Sequence, residues 1–463
     1  MLPPTSHWDA AFCWRWLGIA VLGHTLVTTG LFVFTIPPWQ GPDEPGHFEY
    51  VEAFYSRQGF RAGERDPAST QRIIDSMDAN RFWALTDTEP HVFPSQLKRV
   101  PPLYYALVAI LIGAPETGDS ITTRLYQARL VSAALGLSVL VATWIVARAF
   151  APEDYPFAVT TVSFVALLPQ RVYVSATVNS DNLTNAISGL LMVLLLAGAT
   201  GKLGGLRLWS ALTATMIVGM FTKRTVLFFL PAIAILATMA LVRNRRRAAA
   251  ASHLGPIARG VFATGLAACG LYLITATLAL YWPQLFLRAT DGIAPVLQMA
   301  ASAMTAKGQG TPIDLVTSFG VMFVSFWLSF GYMVQKLSIG WNVMLGSLVA
   351  LAAVGLLIAL GRCLRTGAGP RGGLWTWAIT ASVPATALVA EYALHFGSLP
   401  RILAQGRYLY PGLPAIAILL VTGLGSLNDA RRGQAWSALV IVMLALNMLG
   451  FERYLLGLFY GGQ

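Results

Sequence analysis

Long apolar runs separated by short polar turns make up most of the chain. Because a helix needs about 20 apolar residues to cross a bilayer, these runs predict about eleven membrane-spanning helices. The predicted spans lie near residues 14–36, 125–149, 157–178, 183–200, 206–222, 225–242, 259–281, 340–361, 374–396, 408–426 and 434–451. Two further apolar segments, 103–114 and 318–334, are ambiguous, and we expect both to lie at the outer interface of the membrane. The pattern therefore predicts an all-α polytopic membrane protein.

Basic turns orient this bundle in the membrane. Lys and Arg are enriched in cytoplasmic loops, and four turns of this chain are basic. These turns are residues 201–207, 243–247, 362–371 and 428–432. Eleven spans with a cytoplasmic N-terminus place all four turns inside, although the acidic turn at 151–156 then lies inside as well.

The opposite side of the membrane receives one long loop and several shorter ones. The first outer loop, residues 37–123, is long enough for two or three interfacial helices, and residues 282–339 form an outer loop with an interfacial segment. A tight turn at 177–182 and a loop at 397–407 lie on the same side. We find no repeat and no separate soluble domain, so residues 1–463 are expected to form a single integral-membrane domain.

Composition supports the membrane assignment. Of the 463 residues 56% are hydrophobic and 11% are charged, against about 25% charged in soluble proteins. The net charge of +11 fits basic cytoplasmic loops better than nucleic-acid binding. The first apolar run is too long for the core of a cleavable signal peptide, so we expect it to be a span. Cys13, Cys269 and Cys363 show no metal-ligand spacing and predict no disulfide framework.

Two adjacent carboxylates, Asp43 and Glu44, follow the first span directly in the sequence QGPDEPGHFEY. Pro45 suits the first position of a helix, which puts Glu44 at or near its N-cap. The pair can therefore simply cap a helix lying along the membrane surface. One acid suffices for a cap, however, and two at a membrane exit also fit a general base or a metal site. The pattern leaves both interpretations open.

Further charged residues are expected on the same side. Asp181 lies in the turn VNSDN, whose residues are ordinary turn formers. Four cations depart from the positive-inside bias, namely Lys223, Arg224, Arg401 and Arg407. A cation at membrane depth usually has an anionic partner, and a phosphate suits the Arg fork and the Lys point charge. The alternative is that these side chains extend to lipid headgroups.

The remaining polar residues of the spans are weaker candidates. Glu391 and His395 lie one helical turn apart near the outer end of a span. His24 and Arg129 are single intramembrane polar residues, which we interpret as satisfied interior contacts. The chain contains no GxxxxGK[ST], GxGxxG, HExxH or GxSxG motif, which argues against ATP-driven transport and metalloprotease chemistry.

Five segments, taken in order, resemble one protein family. They are PPWQGPDEPGHFEYVEAF (37–54), VPPLYYALVAIL (100–111), LLPQRVYVSATVNSDNLTNAISGLLMVLLL (167–196), VSFWLSFGYM (324–333) and QGRYLYPGLPAIAILL (405–420). Together they resemble the DUF2142-like bacterial group of predicted membrane proteins within the GT-C glycosyltransferase superfamily. The resemblance implies a GT-C-like bundle of about 11 transmembrane helices (11–13) in the bacterial cytoplasmic (inner) membrane, with interfacial helices in the first outer loop.

The resemblance also implies an activity. Members of the superfamily transfer a sugar from a polyprenyl-phosphate-linked donor to a hydroxyl of a glycan, lipid or protein, usually with inversion, at the outer face of the membrane. The expected roles follow the matched motifs. Asp43 is the expected catalytic base, with Glu44 as the alternative or as the residue that orients it. The expected donor-phosphate residues are Arg407, Lys223, Arg224, Arg401 and Tyr408.

The resemblance leaves several points open. The expected pocket residues are His47, Asp181, Tyr104 and Glu391. Val100 stands where the family usually has a histidine, and His47 or His91 is a possible substitute. Some GT-C enzymes use a divalent cation such as Mg²⁺ or Mn²⁺, for which Asp43 and Asp181 would be the oxygen ligands. A lipid-linked-sugar flippase or another secondary transporter is the main alternative function, and an assembly scaffold is a third.

Overall fold

A computed structural model describes most of the chain, with gaps in the loops. The described residues are 10–55, 65–80, 93–97, 100–116, 118–251, 312–331, 333, 335–367, 369–397 and 405–461. The predicted span at 259–281, together with His91 and Arg401, lies outside them.

The first half of the described chain is helical. Its α-helices are α1 (Ala10–Thr35), α2 (Glu44–Ala53), α3 (Pro67–Ala79), α4 (Leu103–Ile112), α5 (Ile121–Phe150), α6 (Tyr155–Leu167), α7 (Pro169–Ser175), α8 (Asp181–Ala199), α9 (Gly205–Met220) and α10 (Leu230–Ala251). A 3₁₀ turn, Arg224–Phe229, precedes α10.

The second half adds a small hairpin to further helices. Its elements are α11 (Pro312–Trp327), β1 (Ser329–Phe330), β2 (Gln335–Lys336), α12 (Ile339–Thr366), α13 (Leu374–Gly397), α14 (Leu413–Ser426), α15 (Arg432–Leu449) and α16 (Gly457–Tyr460). A 3₁₀ turn, Gly406–Gly412, leads into α14, a second, Asp429–Arg431, leads into α15, and a π-helical segment, Gly450–Leu456, follows α15. The two antiparallel strands pair Ser329 with Lys336 and Phe330 with Gln335.

The helices confirm an all-α polytopic membrane protein, although not the predicted count of eleven spans. Seven helical segments among the described residues are long and apolar enough to cross a membrane, or eight if the bent pair α6–α7 forms one span. The seven are Phe12–Thr35, Ile121–Phe150, Asp181–Ala199, Arg224–Asn244, Ile339–Thr366, Gly406–Ser426 and Asp429–Tyr460. Helix α9 has only 16 residues, and α13 contains Pro384 within its length.

The predicted span at 157–178 is broken. Leu168 adopts an extended conformation, and Pro169 begins a new helix at an angle of 60° to α6. The break agrees with the general effect of proline, which cannot donate a backbone hydrogen bond and disfavours helix in the residue before it. The bend redirects the chain towards the turn at 177–182.

The described part of the first loop contains three short helices, α2, α3 and α4. All ten residues of α2 are buried within the protein. Ion pairs hold it there: Glu49 pairs with Arg65, and Glu52 pairs with both Arg72 and Arg124. These pairs join α2 to α3 and to the first turns of α5.

The segment at 318–334 combines the end of α11 with the start of the hairpin. Phe330 of β1 contacts the rings of Phe32 on α1 and Tyr173 on α7, with centroids 5.9 Å and 4.6 Å away. The hairpin therefore covers the ends of these two helices instead of forming a span of its own.

Candidate functional site

Asp43 lies in the turn between α1 and α2 and carries an accessible carboxylate. Its backbone is in the left-handed region, with φ 55° and ψ 18°, which Asp tolerates better than most residues. Although Asp43 stands at the N-cap of α2, its side chain makes no capping hydrogen bond and is 42% exposed. The structure therefore does not support a purely capping role for this carboxylate.

Glu44, the neighbouring acid, is fully buried and has both oxygens occupied. Arg129 of α5 donates from Nε to Oε1 at 2.8 Å and from Nη2 to Oε2 at 2.6 Å. The backbone N–H groups of Val178 and Gly41 donate to the same two oxygens at 3.1 Å and 3.2 Å. Glu44 thus links the turn before α2, α5 and the turn before α8 into one unit.

Arg129 extends this link to the end of α1. Its remaining donors bind backbone carbonyls of Val33, Ile36 and Pro37, at 3.2, 2.6 and 2.9 Å. Val33 lies in the last turn of α1, where a helix leaves carbonyls without internal partners, and Ile36 and Pro37 follow the helix directly. Arg129 is therefore a satisfied interior residue, as its position within an apolar run predicts.

Four charged residues that the sequence separates widely meet at one end of the bundle. Arg407 Nη2 lies 3.8 Å from Asp43 Oδ2, and Arg407 Nε lies 4.0 Å from Asp181 Oδ2. Lys223 forms an ion pair with the other oxygen of Asp181. We call Asp43, Asp181, Lys223 and Arg407 the charged cluster. Each of these four residues lies in or next to a turn that begins or ends a helix.

The charged cluster has unused hydrogen-bonding capacity. Arg407 is only 7% exposed, yet its Nε and Nη1 have no hydrogen-bond partner among the described residues. Asp181 Oδ2 is likewise buried and accepts no hydrogen bond from the described residues, although it lies in ion-pair range of Arg407. Buried polar groups are normally paired, so these atoms are the ones that a bound polar ligand would satisfy.

Tyr408 forms an aromatic wall beside the two cations. Its ring centre lies 5.4 Å from Lys223 Nζ and 5.6 Å from Arg407 Cζ. Cations at this distance from a tyrosine face are attracted by the ring. Tyr408 therefore helps to hold both cations in the charged cluster.

His47 lies in α2 close to the charged cluster and is neutral near pH 7. Its Nδ1 is 2.7 Å from the hydroxyl of Tyr105, and the two rings are stacked. Burial lowers the pKa of His47 to about 4, although the negative charges of Asp43 and Asp181 act in the opposite direction. As a neutral imidazole it can orient a hydroxyl without adding charge.

Three other expected site residues lie in different surroundings. Tyr104 is buried, with its hydroxyl 2.6 Å from Ser132 Oγ and accepting the N–H of Asn179 at 3.0 Å, so it braces the 177–182 turn. Glu391 is buried on α13 and lies within electrostatic range of Asp181 and Lys223. Arg224 is exposed at the start of its 3₁₀ turn.

The residues do not fit a divalent cation well. Among the described residues, no group of three or more His, Cys, Asp or Glu side chains is arranged to hold a metal ion. Asp181, one of the two expected ligands, already faces Lys223 and Arg407. Two cations beside one carboxylate oppose binding of a further positive charge.

Sequence reasoning missed that Glu44 and Arg129 form a pair. The signal was present, since an arginine within an apolar run requires a counter-charge and Glu44 follows the preceding span. What the sequence does not show is the register that brings α5 against the end of α1.

The fold and the charged cluster together define a multi-pass α-helical membrane protein with a polar site where several helices end. The chain belongs to the family described as "Predicted membrane protein (DUF2142)", which matches residues 62–420. The matched range contains Asp181, Lys223 and Arg407 and begins after Asp43. The predicted membership of the DUF2142-like group is thereby confirmed. A comparison with curated proteins gives no match.

Solved structures similar to this chain include two crystal structures of ArnT from Cupriavidus metallidurans. The apo state is 17% identical, with a TM-score of 0.32, and the match covers 90% of this chain and 78% of ArnT. For the form bound to undecaprenyl phosphate the identity is 14%, the TM-score 0.35 and the coverages 89% and 77%.

A third similar structure is the apo oligosaccharyltransferase from Archaeoglobus fulgidus. It is 12% identical, with a TM-score of 0.45, and the match covers 95% of this chain and 55% of that protein. This chain therefore matches about half the length of that protein.

Proposed function

We propose that this protein is an inverting GT-C-type glycosyltransferase of the bacterial cytoplasmic membrane. It moves a sugar from a polyprenyl-phosphate-linked donor to a hydroxyl of a glycan, lipid or protein at the outer face. The observation that carries the proposal is the charged cluster, in which an accessible carboxylate, Asp43, lies beside a buried arginine, Arg407, with unpaired donors. A candidate base and a candidate site for the leaving phosphate thus lie side by side, which supports the proposal.

Arg407 is the proposed site of the donor phosphate. Its Nε and Nη1 have no hydrogen-bond partner among the described residues, and a planar, permanently charged guanidinium is well suited to donate to phosphate oxygens. Lys223 adds positive charge, although it is already engaged with Asp181. A buried arginine is poorly placed to reach lipid headgroups, which supports phosphate binding over the headgroup alternative.

Asp43 is the proposed general base. Its carboxylate takes the proton of the acceptor hydroxyl while the acceptor oxygen bonds to the anomeric carbon. The bond between that carbon and the phosphate oxygen breaks, and the lipid phosphate leaves with the electron pair, its charge stabilised by Arg407. Attack on the face opposite the leaving group inverts the anomeric centre. A positioned base contributes about 10²–10⁴-fold to such a step.

Glu44 is proposed as a positioning residue and not as the base. Its two carboxylate oxygens accept four hydrogen bonds, from Arg129, Val178 and Gly41. A carboxylate held in this way has no free oxygen for an acceptor proton. Asp43 is held next to it on the same turn.

A reconstitution assay tests the proposal and separates it from the flippase alternative. The purified protein in liposomes is given synthetic polyprenyl-phosphate sugars with glycan and lipid extracts of bacterial envelopes as acceptors. The proposal predicts sugar on a new hydroxyl and an equal amount of released polyprenyl phosphate. Movement of intact donor between leaflets without that release would support the flippase and contradict the proposal.

A further inference from the structure

A second buried cation lies in the bundle, away from the charged cluster. Arg171 of α7 is 4% exposed. Its Nη1 donates to the carbonyl of Gly136 and its Nη2 to the carbonyl of Ala166, both at 3.1 Å. Neutral carbonyls satisfy these hydrogen bonds without cancelling the positive charge.

No counter-charge accompanies Arg171 among the residues that the structure describes. The other three buried arginines among the described residues each have one: Arg129 pairs with Glu44, Arg124 pairs with Glu52, and Arg407 faces Asp43 and Asp181. For Arg171 no described carboxylate lies within 4.0 Å, and its Nε has no hydrogen-bond partner. An isolated charge away from water is costly unless it is paired.

Arg171 borders a small cavity whose lining is part polar and part apolar. Side chains with polar atoms line much of it, namely Arg171, Ser175, Asn182, Asn185 and Tyr410. Its volume is about 10 Å³. A cavity of this size holds about one water molecule or one small ion, and a phosphate group is too large for it.

We propose that this cavity binds one small monovalent anion, with chloride as the physiological candidate. The anion would accept the free Nε–H of Arg171 and cancel its charge, which a water molecule cannot do. Asn182 is adjacent to Asp181, and Tyr410 lies three residues after Arg407. The anion would therefore stabilise the junction of α5, α7 and α8 with the Gly406–Gly412 turn that supports the charged cluster.

Thermal stability of the purified full-length protein in detergent tests this proposal. Chloride is titrated against gluconate at constant ionic strength, so that general screening is unchanged. The proposal predicts a saturable rise in Tm with chloride for the wild type. The rise should persist in Arg207→Gln, which removes an exposed cation, and disappear in Arg171→Gln.

A direct structural measurement covers the case in which Arg171→Gln does not fold. Crystals of the wild type grown in bromide should give an anomalous peak next to Arg171 Nε, because bromide replaces chloride. A Tm that does not depend on the anion, or a cavity without a bromide peak, would overturn the proposal. Chloride stabilisation retained in full by Arg171→Gln would do so as well.

Discussion

Two adjacent carboxylates, Asp43 and Glu44, lie in opposite surroundings. Glu44 is 0% exposed and bound to Arg129, whereas the side chain of Asp43 is 42% exposed and faces Arg407 at 3.8 Å. The two neighbouring acids therefore differ in role: Glu44 is structural, and Asp43 is proposed to be the catalytic base. Substitutions that remove each charge should separate these purposes.

Glu44→Gln should destabilise the protein strongly. The change leaves Arg129 charged and without its counter-ion at a fully buried site, and breaking a buried pair in this way costs about 3–5 kcal/mol. We expect a large fall in Tm in detergent for Glu44→Gln and little change for Asp43→Asn. Equal Tm values for the two variants would show that the Glu44–Arg129 pair does not stabilise the turn between α1 and α2.

Arg407→Gln should weaken donor binding more than acceptor binding. The variant loses the charge and the two unpaired donors proposed to bind the phosphate. We expect the KM for the donor to rise about 10-fold or more, which corresponds to about 1.4 kcal/mol per factor of ten, with little change in the KM for the acceptor. Lys336→Gln, at an exposed cation, is the control. A donor KM unchanged in Arg407→Gln would favour the headgroup alternative.

His47 should make stability depend on pH. Its pKa is about 4 in the folded protein, because of burial, and about 6.5 when the chain is unfolded. The unfolded state therefore binds more protons between these values, so stability is full above about pH 6.5 and falls as the pH drops towards 4. His47→Gln lacks this titration, and its Tm should fall less between pH 7 and pH 5. Parallel pH curves for the two proteins would contradict the assignment.

At the scale of elements, the position of α2 determines where Asp43 lies. Gly46 on this helix passes so close to the Pro94 carbonyl that an added Cβ would collide with it. The backbone of α2 thus touches the neighbouring segment directly.

The backbones of α12 and α14 also approach each other closely, at Gly355 and Gly423. Such close approach at glycine is typical of packed membrane helices.

Gly46→Ala tests whether that contact sets the site. The added methyl group must push α2 away from Pro94, which would shift Asp43, so we expect both Tm and transfer rate to fall. Gly23→Ala in α1 is the matched control, since nothing lies within 4 Å of its added Cβ and alanine favours a helix over glycine. Full activity in Gly46→Ala would show that the contact is not needed to place α2.

At the scale of the whole molecule, the sequence predicts the class and much of the charged cluster. Apolar runs of about 20 residues locate the spans, and polar residues at their ends single out Asp43, Asp181, Lys223 and Arg407. The pairing of Arg407 with both acids is visible only in the structure. The hydropathy pattern shows which segments are apolar, but it does not show which ends of those segments lie close together in the fold.

Other features depend on packing that a one-dimensional pattern does not contain. The break at Pro169 is readable from the residue type, but its 60° angle is not. Acids of the buried helix α2 pair with arginines elsewhere in the chain, such as Glu52 with Arg124, and the sequence does not show which of these residues meet. The cavity at Arg171 is lined by residues of five separate elements, whose positions relative to one another the sequence does not show.

The proposed role of Asp43 is tested most directly by single-turnover sugar transfer in liposomes. Asp43→Asn is compared with Asp75→Asn, which removes an exposed acid from the same loop. With donor bound and Tm unchanged, we expect Asp43→Asn to slow transfer by about 100-fold or more, the loss expected for a general base, while Asp75→Asn reacts at the wild-type rate. Transfer by Asp43→Asn at a near-normal rate would contradict the account.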